Sequence, residues 1–453
     1  MFKHKVFFKL FCLGLIVFFV SCSFNKSDNT PDTSTEDTEG SEDESKKQKK
    51  VDYENKNFNP SLSVLEETGI PVLRINTSDG EAITSKTEWK DADFELLGAH
   101  CNYEDLSLDD IEIKGRGNST WGLPKKSYSI KFGSKSKVLG MKKHKRWVLV
   151  ANYSDKSLLR NNYASYLGNN IYNTVWNPSF KSVHLILNGV YRGVYILGEQ
   201  IKIDGNRVDI DEISETPING GFICEVNIRF DEDFNFRTTK NVPFSLKDPD
   251  EVSIEIQQEV QRIIQTAEDA LYANTFTNNT GGWRDYIDED SVIDWFIVNE
   301  FTKNDDARFY TSVYMYYNHS DGKLYLGPNW DFDISCGNIN FHDCDKTSGF
   351  RIKNAAWISR MFEDPGFVAN VKTRWNSTKS DLYQSVNTWI PSQAASLEDA
   401  AQKNFSRWRI LGNYVWPNAD GYATRKTYQS EIDYLVNWLN ARYTWLDSTI
   451  NGW

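Results

Sequence analysis

The segment from Ile297 to Asn338, IVNEFTKNDDARFYTSVYMYYNHSDGKLYLGPNWDFDISCGN, constrains this chain more than any other. It reads as a helix, an acidic loop, a hairpin and a second acidic loop. Tyr314 to Tyr317 and Lys323 to Leu326 have strand composition around the turn His319-Ser320-Asp321-Gly322, so Asp305/Asp306 and Asp331/Asp333 flank one antiparallel pair. Carboxylates gathered at one end of a hairpin suit a hard cation such as Mg²⁺, which takes one or two carboxylates and completes its shell with substrate phosphates. A lone D-x-D can equally cap turns and helix starts, so the rest of the chain has to decide.

The N-terminus points to export. Lys3, His4, Lys5 and Lys9 precede an apolar run, Leu10 to Val20, that ends in Ser21-Cys22. This layout resembles a lipobox, which implies cleavage before Cys22 and acylation of its thiol, with residues 1–22 as a lipoprotein signal peptide. An uncleaved signal anchor is the alternative, although the apolar run is short for a full span. Residues 23–55 are polar and charged, without apolar periodicity, and read as a disordered tether. The expected place is the cell envelope, with membrane contact through the lipid anchor only.

The remaining residues are globular in composition, with 40% hydrophobic and 14% aromatic residues in the chain and 15 Trp. A net charge of -12 argues against a nucleic-acid partner, which would need a basic face. Past the signal and lipobox cysteines, Cys101, Cys224, Cys336 and Cys344 remain, and an exported chain permits a Cys336–Cys344 disulfide. A zinc site using His342 lacks the paired spacing of structural zinc sites.

Periodicity predicts strands at Val72 to Asn76, Asp110 to Lys114 and Lys126 to Phe132, the last with Lys126, Tyr128, Ile130 and Phe132 on one face. A helix is expected from Ser154 to about Tyr172, capped by Ser154 or Asp155. Val183 to Leu187 and Val190 to Leu197 form a hairpin on the type I′ signal Asn188-Gly189. Glu251 to Tyr272 has an amphipathic stripe, Ser291 to Phe301 is a shorter helix, and beyond Ala355 the chain turns mostly helical, with Trp357, Trp375, Trp389, Trp408, Trp438 and Trp445 as anchors.

That order of parts is the order in a protein-kinase-like fold. Five motifs specify it further: Lys114-Gly-Arg-Gly-Asn-Ser-Thr-Trp121, Pro124-Lys-Lys-Ser-Tyr128, Trp147 through Asn152-Tyr-Ser-Asp-Lys156, Asn188-Gly-Val-Tyr-Arg-Gly-Val-Tyr195 and Trp330-Asp-Phe-Asp333. Together they resemble the spore coat protein H (CotH) kinase family. The resemblance implies an α+β, atypical protein-kinase-like two-lobed fold, with a β-rich lobe at 56–200 on the phosphate side and a mostly helical lobe at 201–453. It also implies ATP with Mg²⁺ and phosphoryl transfer to Ser or Thr of a protein substrate.

Carried over residue by residue, the resemblance makes Asp306 of Asn304-Asp305-Asp306-Ala307 the catalytic acid. It makes Asp331 a metal ligand, with Asp333 or Asn338 beside it. Arg116 and Lys126 are expected at the phosphates, and Glu199 and Gln200 in the connector that meets the base. There is no H-R-D, no D-F-G and no glutamate in the 154–172 helix to pair with a lysine. ATP is scarce outside the cytoplasm, so a non-catalytic surface binding module, a D-x-D glycosyltransferase and a purely structural surface protein stand as alternatives.

Overall fold

Alternating apolar and polar residues build half-buried strands, and in the first part of this chain such strands close on themselves. The structure, a computed structural model, describes residues 53–453, which lie within one compact unit, Glu44–Trp453. Helix α1 (Leu62–Glu66) leads into β1 (Val72–Thr77), β2 (Lys90–Leu97), β3 (Leu106–Arg116), β4 (Ser127–Val138), β5 (Met141–Val150), β6 (Phe180–Leu187) and β7 (Val190–Glu199). These form a closed barrel in the order β1-β2-β3-β4-β5-β7-β6. Neighbours are antiparallel except β1 and β6, whose parallel pairing (Val72↔His184 to Ile75↔Leu187) closes the ring. Phe94, Ile113, Ile130, Phe132, Trp147, Leu185 and Leu197 fill it. A β-rich first part is as expected; closure of its sheet was not foreseen.

The Asn188-Gly189 turn has both residues at positive φ, 50° and 73°, as a type I′ hairpin requires. Helix α2 starts later than its pattern suggested, at Arg160–Asn170. The Asp155 carboxylate explains the delay: it accepts from the N–H groups of Ser157 (3.1 Å) and Arg160 (2.9 Å) and pairs with the Arg160 guanidinium (2.6 Å), winding 155–159 into turns.

The second sheet is antiparallel, ordered β12-β11-β8-β10-β9, with β8 (Phe222–Val226), β9 (Asn235–Arg237), β10 (Pro243–Asp248), β11 (Val313–Asn318) and β12 (Lys323–Leu326). It lies in the part expected to be mostly helical. Helix α3 (Ile254–Tyr272) follows the apolar stripe, Ser253 capping it at Ile256 N–H. Helix α4 (Glu289–Thr302) carries the first acidic loop, and α5 (Ala356–Met361), α6 (Pro365–Gln384), α7 (Ile390–Arg407) and α8 (Tyr428–Asn451) complete the chain. Trp357, Trp375 and Trp408 are fully buried among these helices. No helix of the described residues is long and apolar enough to cross a membrane.

Cys22, the signal peptide and most of the expected tether lie outside the described residues. The tether's last residues are tied down: Asn55 N–H donates to the Arg407 carbonyl (2.7 Å), and Glu54 pairs with Arg192 (3.0 Å) and Arg407. Cys336 and Cys344 are both free thiols. Each has another neighbour, Cys336 the Ser335 hydroxyl (3.3 Å) and Cys344 the Asp305 carboxylate (3.6 Å).

Candidate functional site

Helix α4 is capped by Asp288, whose side chain accepts from Ser291 N–H, and it ends at Lys303 with φ 50°. The Lys303 ammonium then donates to the carbonyls of Asp343 (2.6 Å), Lys346 (2.9 Å) and Ser348 (2.8 Å), which fixes where the next residues go. Asn304 donates to the Asp331 carbonyl (3.2 Å), stitching the two acidic loops together. The neighbours Asp305 and Asp306 then part company. Asp305 accepts from Arg351 Nε (2.6 Å) and contacts His342 Nδ1 (3.0 Å). Burial alone would raise its pKa, but His342 and Arg351 outweigh it and hold the carboxyl below the ordinary value.

Asp306 takes the opposite course. Burial, the charge of Asp331 and that of Asp305 push its pKa up to about 8, against the opposing pull of Arg229 and Arg308. Asp333 is likewise pushed well up by burial, then by Asp331, Asp306 and Asp155, and it shares a side-chain hydrogen bond with Asp331. Asp331 itself stands at φ 64°, and Ser312 Oγ donates to its Oδ2 at 3.3 Å. Asp306, Asp331 and Asp333 therefore form one cluster of mutually repelling carboxylates. Buried polar atoms with no partner lie in the same loop, at Asn304 Oδ1 and Arg308 Nε. Unmet groups of this kind call for a ligand or ion. Phe309 and Ser312 also hold left-handed backbone, at φ 62° and 59°, strain of the sort that gathers at working sites.

Arg116, at the end of β3, lies 5.1 Å over the Trp330 ring. Burial lowers its pKa, and Tyr314, Asp331 and Glu225 counter that, so its charge is coupled to Asp331 of the cluster. A pair that sequence reasoning missed stands behind it. Glu225 of β8 accepts from Ser312 N–H (3.0 Å) and pairs with Lys247 of β10 (3.3 Å). Burial by itself would lower the Lys247 pKa, but Tyr314, Glu225 and Glu232 outweigh it and push it up, and the ammonium is held charged. The sequence signal was there: a glutamate and a lysine interrupting two otherwise apolar strands.

Other expected site residues are engaged elsewhere. Lys126 precedes β4 rather than lying in it; its ammonium donates to the Trp121 carbonyl and sits 5.0 Å over the Trp121 ring. The buried lysine of the motif is Lys125, which donates to the Val194 carbonyl (2.5 Å) and Asn404 Oδ1 (3.0 Å), joining barrel to α7. Glu199 ends β7, accepting from Ser179 N–H (2.9 Å) and pairing with Arg207, so its carboxylate serves structure. Gln200 Oε1 is buried without a partner, an acceptor still to be met. The Asn338 amide ties loops together: Nδ2 donates to the carbonyls of Asp333 (2.7 Å) and Ser154 (3.3 Å), and Oδ1 accepts from Asn418 (3.0 Å).

Acids whose repulsion an ion relieves suit a divalent cation, and Asp331 and Asp333 are the residues that would hold it. Among the described residues no three His, Cys, Asp or Glu side chains form a preformed ion cage. An ion there would take other ligands from water and phosphate, as Mg²⁺ commonly does.

A comparison with curated proteins finds no match. A family model described as CotH kinase protein matches residues 113–446, more than half of the chain, and that span holds β4 to β12, the carboxylate cluster and Lys247. By that match, the chain is a member of the CotH kinase protein family.

Proposed function

We propose that this protein is an exported, lipid-anchored atypical protein kinase that transfers the ATP γ-phosphate to Ser or Thr of proteins of the cell envelope. Its two lobes would be residues 56–200 and 201–453. The observation that supports this reading is an acidic cluster with a cation beside it: Asp306, Asp331 and Asp333 repel each other, and the charge of Arg116, at the end of β3, acts on Asp331. Asp331, with Asp333, would hold Mg²⁺, which supplies neutralisation of phosphate charge. Arg116 offsets the charge that develops on the transferred group. Asp306, ionised once the repulsion of its neighbours is relieved, accepts from the acceptor hydroxyl and orients it in line. The Glu225–Lys247 pair keeps Ser312 and, through it, Asp331 in position. Cys22 would carry the anchor.

The test is thermal stability of the full-length protein with ATP, GTP and a UDP-sugar, each with and without Mg²⁺. At about a hundred times its Kd a ligand stabilises by about 2.7 kcal/mol. ATP should do so only with Mg²⁺. A larger effect of the UDP-sugar would replace the kinase reading with glycosyl transfer, and no effect of any nucleotide would leave a non-catalytic surface module.

A further inference from the structure

A groove of about 390 Å³ opens between the barrel and the helices, lined from Gly69 to Pro71, α2, β6 and the start of α7, and none of its lining residues belongs to the carboxylate cluster. Ser385–Trp389, between α6 and α7, is a turn of π-helix. Such turns are rare, and they recur at functional sites because the extra residue re-aims a side chain. Here it ends on Trp389, which stacks on Tyr166 with ring centroids 4.6 Å apart and planes at 28°. Both rings line the groove.

The lining selects a ligand class. Its single charged residue is Lys181, so a polyanion finds no cation cluster and a cation finds no carboxylate. Amides and hydroxyls predominate over aliphatic side chains, the reverse of a site for an apolar molecule. Asn162 Oδ1 is buried with no partner and wants a donor. Gln393 offers both a donor and an acceptor beside Trp389. Flat aromatic faces flanked by neutral donors and acceptors match a molecule with apolar C–H faces and a rim of hydroxyls.

We propose that this groove binds a neutral oligosaccharide, seated on Trp389 and Tyr166 and held at its hydroxyls by Asn162 and Gln393. The proposal is independent of phosphoryl transfer. Titration calorimetry of the full-length protein, in a detergent without sugar headgroups, would use cellohexaose, maltohexaose, mannohexaose and chitohexaose as probes, with an unrelated neutral octapeptide and a heparin hexasaccharide as competitors. At least one neutral hexasaccharide should bind. Trp389→Ala should weaken it about tenfold or more, and Gln393→Ala, a half-buried change that leaves the rings in place, about threefold or more. Should Trp389→Ala fail to fold, Gln393→Ala decides. Absence of binding by all four sugars, affinity unchanged in the folded variants, or tighter binding of the octapeptide or heparin fragment would overturn the proposal.

Discussion

The loop after α4 has two faces that handle buried charge in opposite ways. On the inner face every charge is matched. Glu300 accepts from Arg442 (2.6 Å) and from the N–H groups of Arg351, Ile352 and Lys353, Lys303 is ringed by carbonyls, and Asp305 is held by Arg351 and His342. On the face towards the second acidic loop, one residue further on, Asp306 meets Asp331 and Asp333 with a deficit of positive charge. The matched face makes the loop rigid. The unmatched face stores repulsion that a cationic ligand relieves, which is how a site can favour binding at the cost of its own stability.

The comparison can be broken most sharply on the inner face. Arg442→Met leaves Glu300 buried without its cation and should cost about 3–5 kcal/mol of unfolding free energy by denaturant titration. A loss below 1 kcal/mol would mean that the matched face is not what holds the loop. Next in size, Asp306→Asn keeps the shape of the unmatched face and removes its proton acceptor. Phosphate transfer to a Ser/Thr-rich protein should fall by about 10²-fold or more, while the affinity for Mg·ATP measured by titration is retained. Asp331→Ala should weaken Mg²⁺-dependent nucleotide affinity as well as rate.

Acid separates the two faces from the rest of the core. His184, buried between Thr68 and Tyr191, has its pKa lowered by burial from 6.5 to about 3. The unfolded chain therefore takes up this proton first, so stability is full above pH 6.5 and declines towards pH 3 by at most about 1.4 kcal/mol per unit. His184→Gln should flatten the melting temperature between pH 6.5 and 5. Asp305, whose pKa is lowered, contributes stability that is present above the ordinary carboxylate value and is lost as the pH falls below it, so loss there belongs to the inner face. The smallest expected effect is a gain. Asp306→Asn relieves burial and repulsion on the unmatched face and should stabilise the protein by about 1 kcal/mol, against a loss if Asp306 were matched.

How much of this was legible depends on how far apart the partners lie in sequence. The hairpin at 183–197 and helix α3 were readable because their signals, Asn188-Gly189 and the apolar stripe, are local. Barrel closure joins Val72 to His184, and no local pattern announces it. The lysine was misplaced by one residue because β4 begins at Ser127, and a one-residue shift at a strand end exchanges inside for outside. Composition could not divide Asp305 from Asp306. The motif resemblance pointed to Asp306, and partners as distant as Arg351 are what tie its neighbour down. Asn338, expected beside the metal, also bridges to Asn418 and Ser154, contacts 80 and 184 residues away that no local pattern announces.

The closure of β1 on β6, and the hold of Arg407 on residues 54–58, also bear on how the chain is made. Residues 54–58 find this partner only after almost the whole chain has been synthesised. Contacts of such long range close slowly, because the loop entropy is spent before they form. If the chain leaves the cell N-terminus first, the barrel stands open along β1 until residue 187 has crossed, and the 54–58 segment waits for Arg407. In that case the β6-facing edge of β1, paired only with β2 on its other side, would be exposed to proteases and to other nascent chains, and yield would depend on whatever shields that edge.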